Sequence, residues 1–232
     1  MAAMAFAVLQ PIQVLPRIRL APGYALAAED GTVLSSEDGR GVITLYSFVP
    51  AACADAGEAA GDIGGDIGGD IGGDIGGDVA VARRCEEVFD NVRTVQRRVE
   101  DEVDLSGTPL RMVTIVLDAD ATTAELAAVA AVARTGGDPV AGWRFAGGDA
   151  EQLANVVGLG FRRSLETGPA YQPSYAVVDG WGVIRREYRY RTVSDTADTI
   201  VRHIDLLGAE LRNDHGIGSW AYEAAHAFQC YP

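Results

Sequence analysis

The chain has 232 residues, 48% apolar and 22% charged, with a formal net charge of −14. That length suits one domain of roughly 100–200 residues plus extensions, with a real hydrophobic core. No run reaches about 18 apolar residues, so no membrane-spanning helix is expected. The negative charge argues against nucleic acid, whose phosphates need clustered basic residues.

All 19 basic residues are arginine. A GC-rich genome accounts for that bias, and so does a salt-adapted host in which excess acidic charge maintains solubility. The start, MAAMAFAVLQPIQVLP, has no basic residue before Arg17 and does not read as a secretory signal. Cys53, Cys85 and Cys230 are too few for a disulfide-built scaffold, yet three thiols allow one disulfide or a thiolate metal site.

In chain order, residues 19–40 read as an extended lead-in with turn chemistry at Glu29-Asp30-Gly31 and Asp38-Gly39. GVITLYSFV (41–49) is a strand buried on both faces, ended by Pro50 and followed by Cys53. From Gly61 to Asp78 the unit D-I-G-G repeats with a period of four. Its nine glycines make regular structure costly, so it reads as a loop and an insertion. A calcium-binding repeat would have a different period.

Next comes CEEVFDNVRTVQRRVEDEV (85–103), with Val88, Val92, Val95 and Val99 on one helical face and Glu86 and Glu87 in its first turn. LRMVTIVLDAD (110–120) is a second buried strand. TTAELAAVAAVART (122–135) is a helix closed by Gly136-Gly137, and GWRFAGG (142–148) is strand-like. DAEQLANVVGLGF (149–161) opens on an N-capping Asp. SYAVVD (174–179) and VIRREYRYR (183–191) form a hairpin about Gly-Trp-Gly, and 193–211 is a helix capped by Ser194 or Asp195. This alternation predicts an α/β fold: a mixed sheet flanked by helices, in the thioredoxin-like order, with unit 121–147 elaborating the middle.

Five pieces of the stretch 41–211 carry a resemblance: LYSFVPAAC, CEEVFDNV, VTIVLDADATTAEL, GWRFAGGDAEQLANVVGLGF and YAVVDGWGVIRREY. Together they resemble the Sco/SenC family of thioredoxin-like proteins, which assist copper-site assembly in cytochrome oxidase. The family places two cysteines four apart; here position 57 is Gly57, and the D-I-G-G insertion separates Cys53 from Cys85. A flexible loop closes at a cost that grows slowly with length, so the two thiols can still meet. The family's histidine before the strand of YAVVD is missing, and Tyr171 stands near its place. His203, His215 and His226 all fall at the C-terminal end. Pro173 stands where thioredoxin-like oxidoreductases carry a cis proline beside the active disulfide, and a cis bond is expected there.

The resemblance therefore implies Cys53 and Cys85 as redox and copper-binding residues, with Pro173 beside them. Three readings of the cysteines stay open: a redox pair, a metal pair, or two unpaired thiols. Cys85, at a helix N-terminus after Arg83-Arg84, is expected to have a lowered pKa that Glu86 and Glu87 oppose. A peroxidase is excluded, because Pro50 stands where a Thr or Ser would be needed. Asp118 and Asp120 look like a paired acid site, but at the end of a strand they read as turn formers and helix caps. In the tail, His226 and Cys230 have metal-ligand spacing, but Trp220, Tyr222 and Phe228 read as the face of a short helix that docks on the domain or on a partner.

The organisation expected is an N-terminal extension (1–18), a thioredoxin-like domain (19–211) interrupted by the insertion (57–82), and a C-terminal tail (212–232). The function expected is a thiol-redox or copper-handling assembly factor for a respiratory copper oxidase. Its partner would be that oxidase or another thiol protein, outside the cytoplasm or at the membrane periphery. From another class comes a degenerate thioredoxin-like binding or structural subunit without catalysis.

Overall fold

The computed structural model describes residues 13–56, 75–135, 142–189, 196–213 and 217–230. Its core is one mixed sheet of eight strands in the order β1-β8-β7-β4-β5-β6-β2-β3. These are β1 (Arg19–Leu20), β2 (Ala25–Ala28), β3 (Val33–Ser35), β4 (Ile43–Val49), β5 (Leu110–Val116), β6 (Arg144–Gly147), β7 (Ser174–Val178) and β8 (Val183–Arg189). Five helices accompany it: α1 (Ile75–Glu102), α2 (Thr123–Arg134), α3 (Ala150–Leu153), α4 (Thr196–Arg212) and α5 (Ile217–Cys230). This is the α/β, thioredoxin-like mixed sheet flanked by helices that the sequence predicts.

The central strand explains itself. Every residue of Ile43–Val49 is buried, as its unbroken β-branched and aromatic run requires of a strand covered on both faces. It runs parallel to β5, from Ile43 opposite Leu110 to Val49 opposite Val116, and antiparallel to β7. Parallel neighbours place the ends of β4 and β5 side by side, so the segments after Val49 and Val116 emerge together. Between them lies a buried polar link: Trp143 Nε1 donates to Thr114 Oγ1 at 2.8 Å, and Thr114 Oγ1 lies 2.7 Å from Ser47 Oγ.

Helix ends follow their caps. Thr122 and Asp149 each form a reciprocal capping box, with Glu125 and Gln152 respectively. After Leu153 the chain widens into a π-helical stretch, Ala154–Gly160, where Phe161 N–H reaches back to Val156 O at 2.9 Å. Gly160 is required there: a Cβ would lie 2.4 Å from Pro22 Cβ.

Two expectations change. Helix α1 begins at Ile75, ten residues before Cys85, so the end of the repeat from Ile75 to Asp78 is helical and Cys85 lies inside the helix. Val81, Cys85, Val88, Phe89 and Val92 share its buried face, and burying that stripe offsets the entropy of the glycines. The rest of the repeat lies outside the described residues. The lead-in 19–40 contains β1 and the β2–β3 hairpin; Ala-rich β2 is a strand because it pairs with β6 and β3. Residues 190–195, including the expected caps Ser194 and Asp195, and Gly136-Gly137 lie outside the described residues. In the tail, Trp220 is 81% exposed, so of the two docking targets the domain does not cover it, while Ala225 and His226, on another face of α5, are buried. Phe228 and the side chain of Cys230 lie outside what is described.

Of the three histidines, His203 is buried on α4, its Nδ1 2.9 Å from the Tyr188 hydroxyl. Burial, with Arg186 and Arg202 nearby, pushes its pKa down to about 4. The unfolded chain, titrating near about 6.5, then takes up the proton first as pH falls. The stabilisation is complete above pH ~6.5 and is lost on acidification toward about 4, by up to about 3 kcal/mol. Thermal unfolding followed across that window is expected to show this slope in the wild type and a flatter one in His203→Phe.

Candidate functional site: a buried disulfide at the ends of the central strands

Cys53 follows β4 directly. Pro50 opens a tight turn, Ala51–Asp55, in which Cys53 N–H donates to Pro50 O at 3.1 Å. Asp118, just past β5, accepts the Ala51 N–H at 2.5 Å, and Leu117 N–H donates to Val49 O at 2.9 Å. The two parallel strand ends thus hold the cysteine turn between them, and α2 packs against that turn. Asp118 is more than the turn former the sequence suggests; its side chain fastens the cysteine segment to the sheet. Asp120 turns the chain with φ 61° and donates its N–H to Gly148 O at 3.0 Å.

Cys85 comes from α1, and the two sulfurs are joined: Cα–Cα is 5.5 Å across a sequence separation of 32. Both cysteines are 0% exposed. Because Cys85 lies ten residues into α1, the helix-start field expected to lower its thiol pKa acts elsewhere. Arg84 has a different task from the one its charge suggested. Its Nη1 donates to Pro169 O at 2.8 Å and to Tyr171 O at 2.7 Å, tying the loop before β7 to the residue next to Cys85.

That loop carries the remaining predicted residues. Tyr171 is buried, and its hydroxyl donates to Phe48 O at 2.9 Å. Burial raises its pKa well above the ordinary value, so the phenol stays protonated and committed to the strand. Pro173 is buried beside the start of β7. The expected cis bond is not found: no peptide bond among the described residues is cis. A trans proline suits the extended entry to a strand, and trans is the lower-energy isomer.

No family profile matches the chain. No curated protein matches it either. Solved structures do. BsSco, described as a member of the Sco family of cytochrome c oxidase assembly proteins with a disulfide switch, superposes with a TM-score of 0.56 at 14% identity, over 86% of this chain and 98% of that one. The fold is that of the Sco proteins. Arabidopsis thaliana ScoI with copper bound gives a TM-score of 0.53 at 12% identity, over 80% of this chain and 98% of that one. A SCO1/SenC family lipoprotein from Bacillus anthracis gives 0.54 at 14%, over 82% and 95%.

Within the Sco fold, the described residues bring Cys53 and Cys85 together and place the Tyr171–Pro173 loop against the same region, but they bring no histidine there. His203 is held by Tyr188, and His226 lies 3.4 Å from Glu210 on α4; His215 lies outside the described residues. Among the described residues, no group of three or more His, Cys, Asp or Glu is placed to hold a metal ion. Once reduced, the cysteines supply two soft sulfur donors. Tyr171 does not fit as a third ligand, since its hydroxyl proton is given to Phe48 O.

Proposed function

We propose that this protein is a thiol-redox or copper-handling assembly factor for a respiratory copper oxidase, with Cys53 and Cys85 as its working pair. One observation carries the reading: the fold closes a separation of 32 residues to bond two cysteines at the end of the central strand. The disulfide is the oxidised state. A partner thiolate attacks one sulfur, the other cysteine leaves as a thiolate, and a second thiol resolves the mixed disulfide, leaving two cysteine thiols and an oxidised partner. Both sulfurs are buried, so the attack needs local opening around the pair.

Copper enters as cargo. The cuprous ion is soft and accepts two thiolates, so the reduced pair can hold it without the histidine. A protein partner, either the oxidase or another thiol protein, and a site of action outside the cytoplasm or at the membrane periphery follow from the same reading. No described helix is long and apolar enough to cross a membrane.

Titrating the reduced protein with cuprous ion against a competing chelator tests this. One copper per chain is expected, lost in Cys53→Ser and in Cys85→Ser and retained in Cys230→Ser. Copper retained equally by all three variants would remove the pair from copper handling. The burial of both sulfurs favours a second reading, a non-catalytic subunit stapled by a structural disulfide.

A further inference from the structure

Beside the loop that Arg84 ties to the disulfide lies a cavity of about 190 Å³, lined by Leu117, Arg162, Arg163, Tyr171, Pro173 and Arg189, with Ser164 and Glu166 among its other walls. Three arginines against one glutamate make it basic, in a chain whose net charge is −14. Arg163 stands apart from the other two. Its side chain is 3% exposed, and only Nη2 has a partner: it donates to Tyr175 O at 3.2 Å and lies 3.6 Å from Glu187 Oε1. Nε and Nη1 are buried with no hydrogen-bond partner. A buried guanidinium with two unpartnered nitrogens is costly, because it has lost its water without gaining bonds in return. Nε and Nη1 lie on different edges of the guanidinium, so each is open to a single charge-assisted bond to an oxyanion oxygen.

The cavity borders the loop of the candidate redox site, although neither cysteine lines it. Pro173 and Tyr171 belong to the loop fastened to Arg84, next to Cys85, and Leu117 is bonded to Val49 at the end of the strand that leads to Cys53. We infer that this cavity is an anion subsite, where Arg163 receives a carboxylate or similar oxyanion carried by the thiol that reacts with Cys53–Cys85. The inference rests on the proposed thiol exchange and names its substrate class: an anionic thiol, whether a small carboxylate-bearing thiol or a cysteine flanked by acidic residues in a protein. In the balanced reaction, two such thiols become one disulfide while Cys53 and Cys85 become two thiols.

Two measurements separate the inference from the reading beneath it. The first needs no redox chemistry: thermal unfolding of the oxidised protein with inorganic phosphate, at ionic strength held constant with chloride. Phosphate is expected to raise Tm by several degrees in the wild type and to lose that effect in Arg163→Gln. If Arg163→Gln fails to fold, Arg189→Gln at the cavity mouth takes its place, with a reduced effect expected. Equal shifts in wild type and variant would overturn the site even if thiol exchange proceeds.

The second compares rates of disulfide reduction by an anionic thiol (3-mercaptopropionate), an acidic cysteine peptide and a neutral thiol (2-mercaptoethanol), each corrected for its thiolate fraction. The ratio of anionic to neutral rates is expected to fall about tenfold in Arg163→Gln, the worth of one charge-assisted bond. A fall seen only with the small thiol assigns the subsite to small thiols, and one seen only with the peptide assigns it to a protein partner. An unchanged ratio for both overturns the inference. Failure of every thiol to react overturns the proposed exchange and with it the substrate assignment, while the phosphate shift still decides the anion site.

Discussion

Replacing Arg185 with leucine is expected to cost about 3–5 kcal/mol of folding stability, the penalty for removing one partner from a buried ion network. Arg185 is 4% exposed and sits on β8 at the centre of four connections. Its Nη1 meets Asp179 at 3.1 Å in the hairpin turn; Nη2 meets Glu210 on α4 at 2.7 Å and the Leu15 carbonyl at 2.8 Å; and Nε reaches Pro16 O at 3.4 Å. The side chain therefore fastens the N-terminal segment, the hairpin and α4 together, and through Glu210 it reaches His226 on α5. Leucine would leave two largely buried carboxylates, Asp179 and Glu210, without the guanidinium that links them. Burial pushes the Glu210 carboxyl up, but His226 and Arg185 more than compensate and hold it below its ordinary value. Arg185→Leu should relieve that hold, so its stability should fall with rising pH relative to the wild type. Urea unfolding with an unchanged slope and a lower midpoint is the expected signature. A loss under about 1 kcal/mol would mean that the network contributes no more than an exposed ion pair.

Reducing the disulfide is the second large change. Opening a cross-link of 32 residues frees the unfolded chain by an amount worth about 3–4 kcal/mol. For a chain of this size that corresponds to a Tm lower by about 10 °C, with the reduced protein still folded because β4, β5 and α1 keep their apolar burial. Thermal unfolding with and without a strong dithiol reads the difference directly, and Cys53→Ala/Cys85→Ala should match the reduced wild type. A reduced protein already unfolded at room temperature would identify the bridge as a structural staple, not a pair that cycles.

Much of this architecture is legible in the chain because its strongest signals are local. ITLYSFV and LRMVTIV are unbroken apolar runs, and both are central strands. Thr122 and Asp149 announce their helices through capping chemistry confined to four residues. What escapes the sequence depends on partners far along the chain. ALAA at 25–28 has no strand character of its own and is a strand through pairing with Ala146 and Gly147. The start of α1 among glycines is set by the buried face that follows it. At the site, the Cys53–Cys85 pairing follows from the resemblance, not from spacing, because the repeat lies between them. The roles of Asp118 and Arg84 are invisible in sequence, since each acts on backbone atoms brought near only by the fold. The one available signal for Arg163 is the basic pair at 162–163 directly after Gly-Leu-Gly-Phe; its missing partners emerge only once β7 and β8 are in place.

The most direct test is a redox titration of the native protein. The chain is equilibrated with buffers of graded thiol–disulfide ratio, quenched with a maleimide mass tag, and read as intact mass with peptide mapping. Cys53 and Cys85 are expected to gain tags together and reversibly under native conditions, with Cys230 scored separately. If the pair takes tags only after denaturation, whatever the buffer, then the disulfide does not exchange in the folded protein and the assembly-factor account is contradicted.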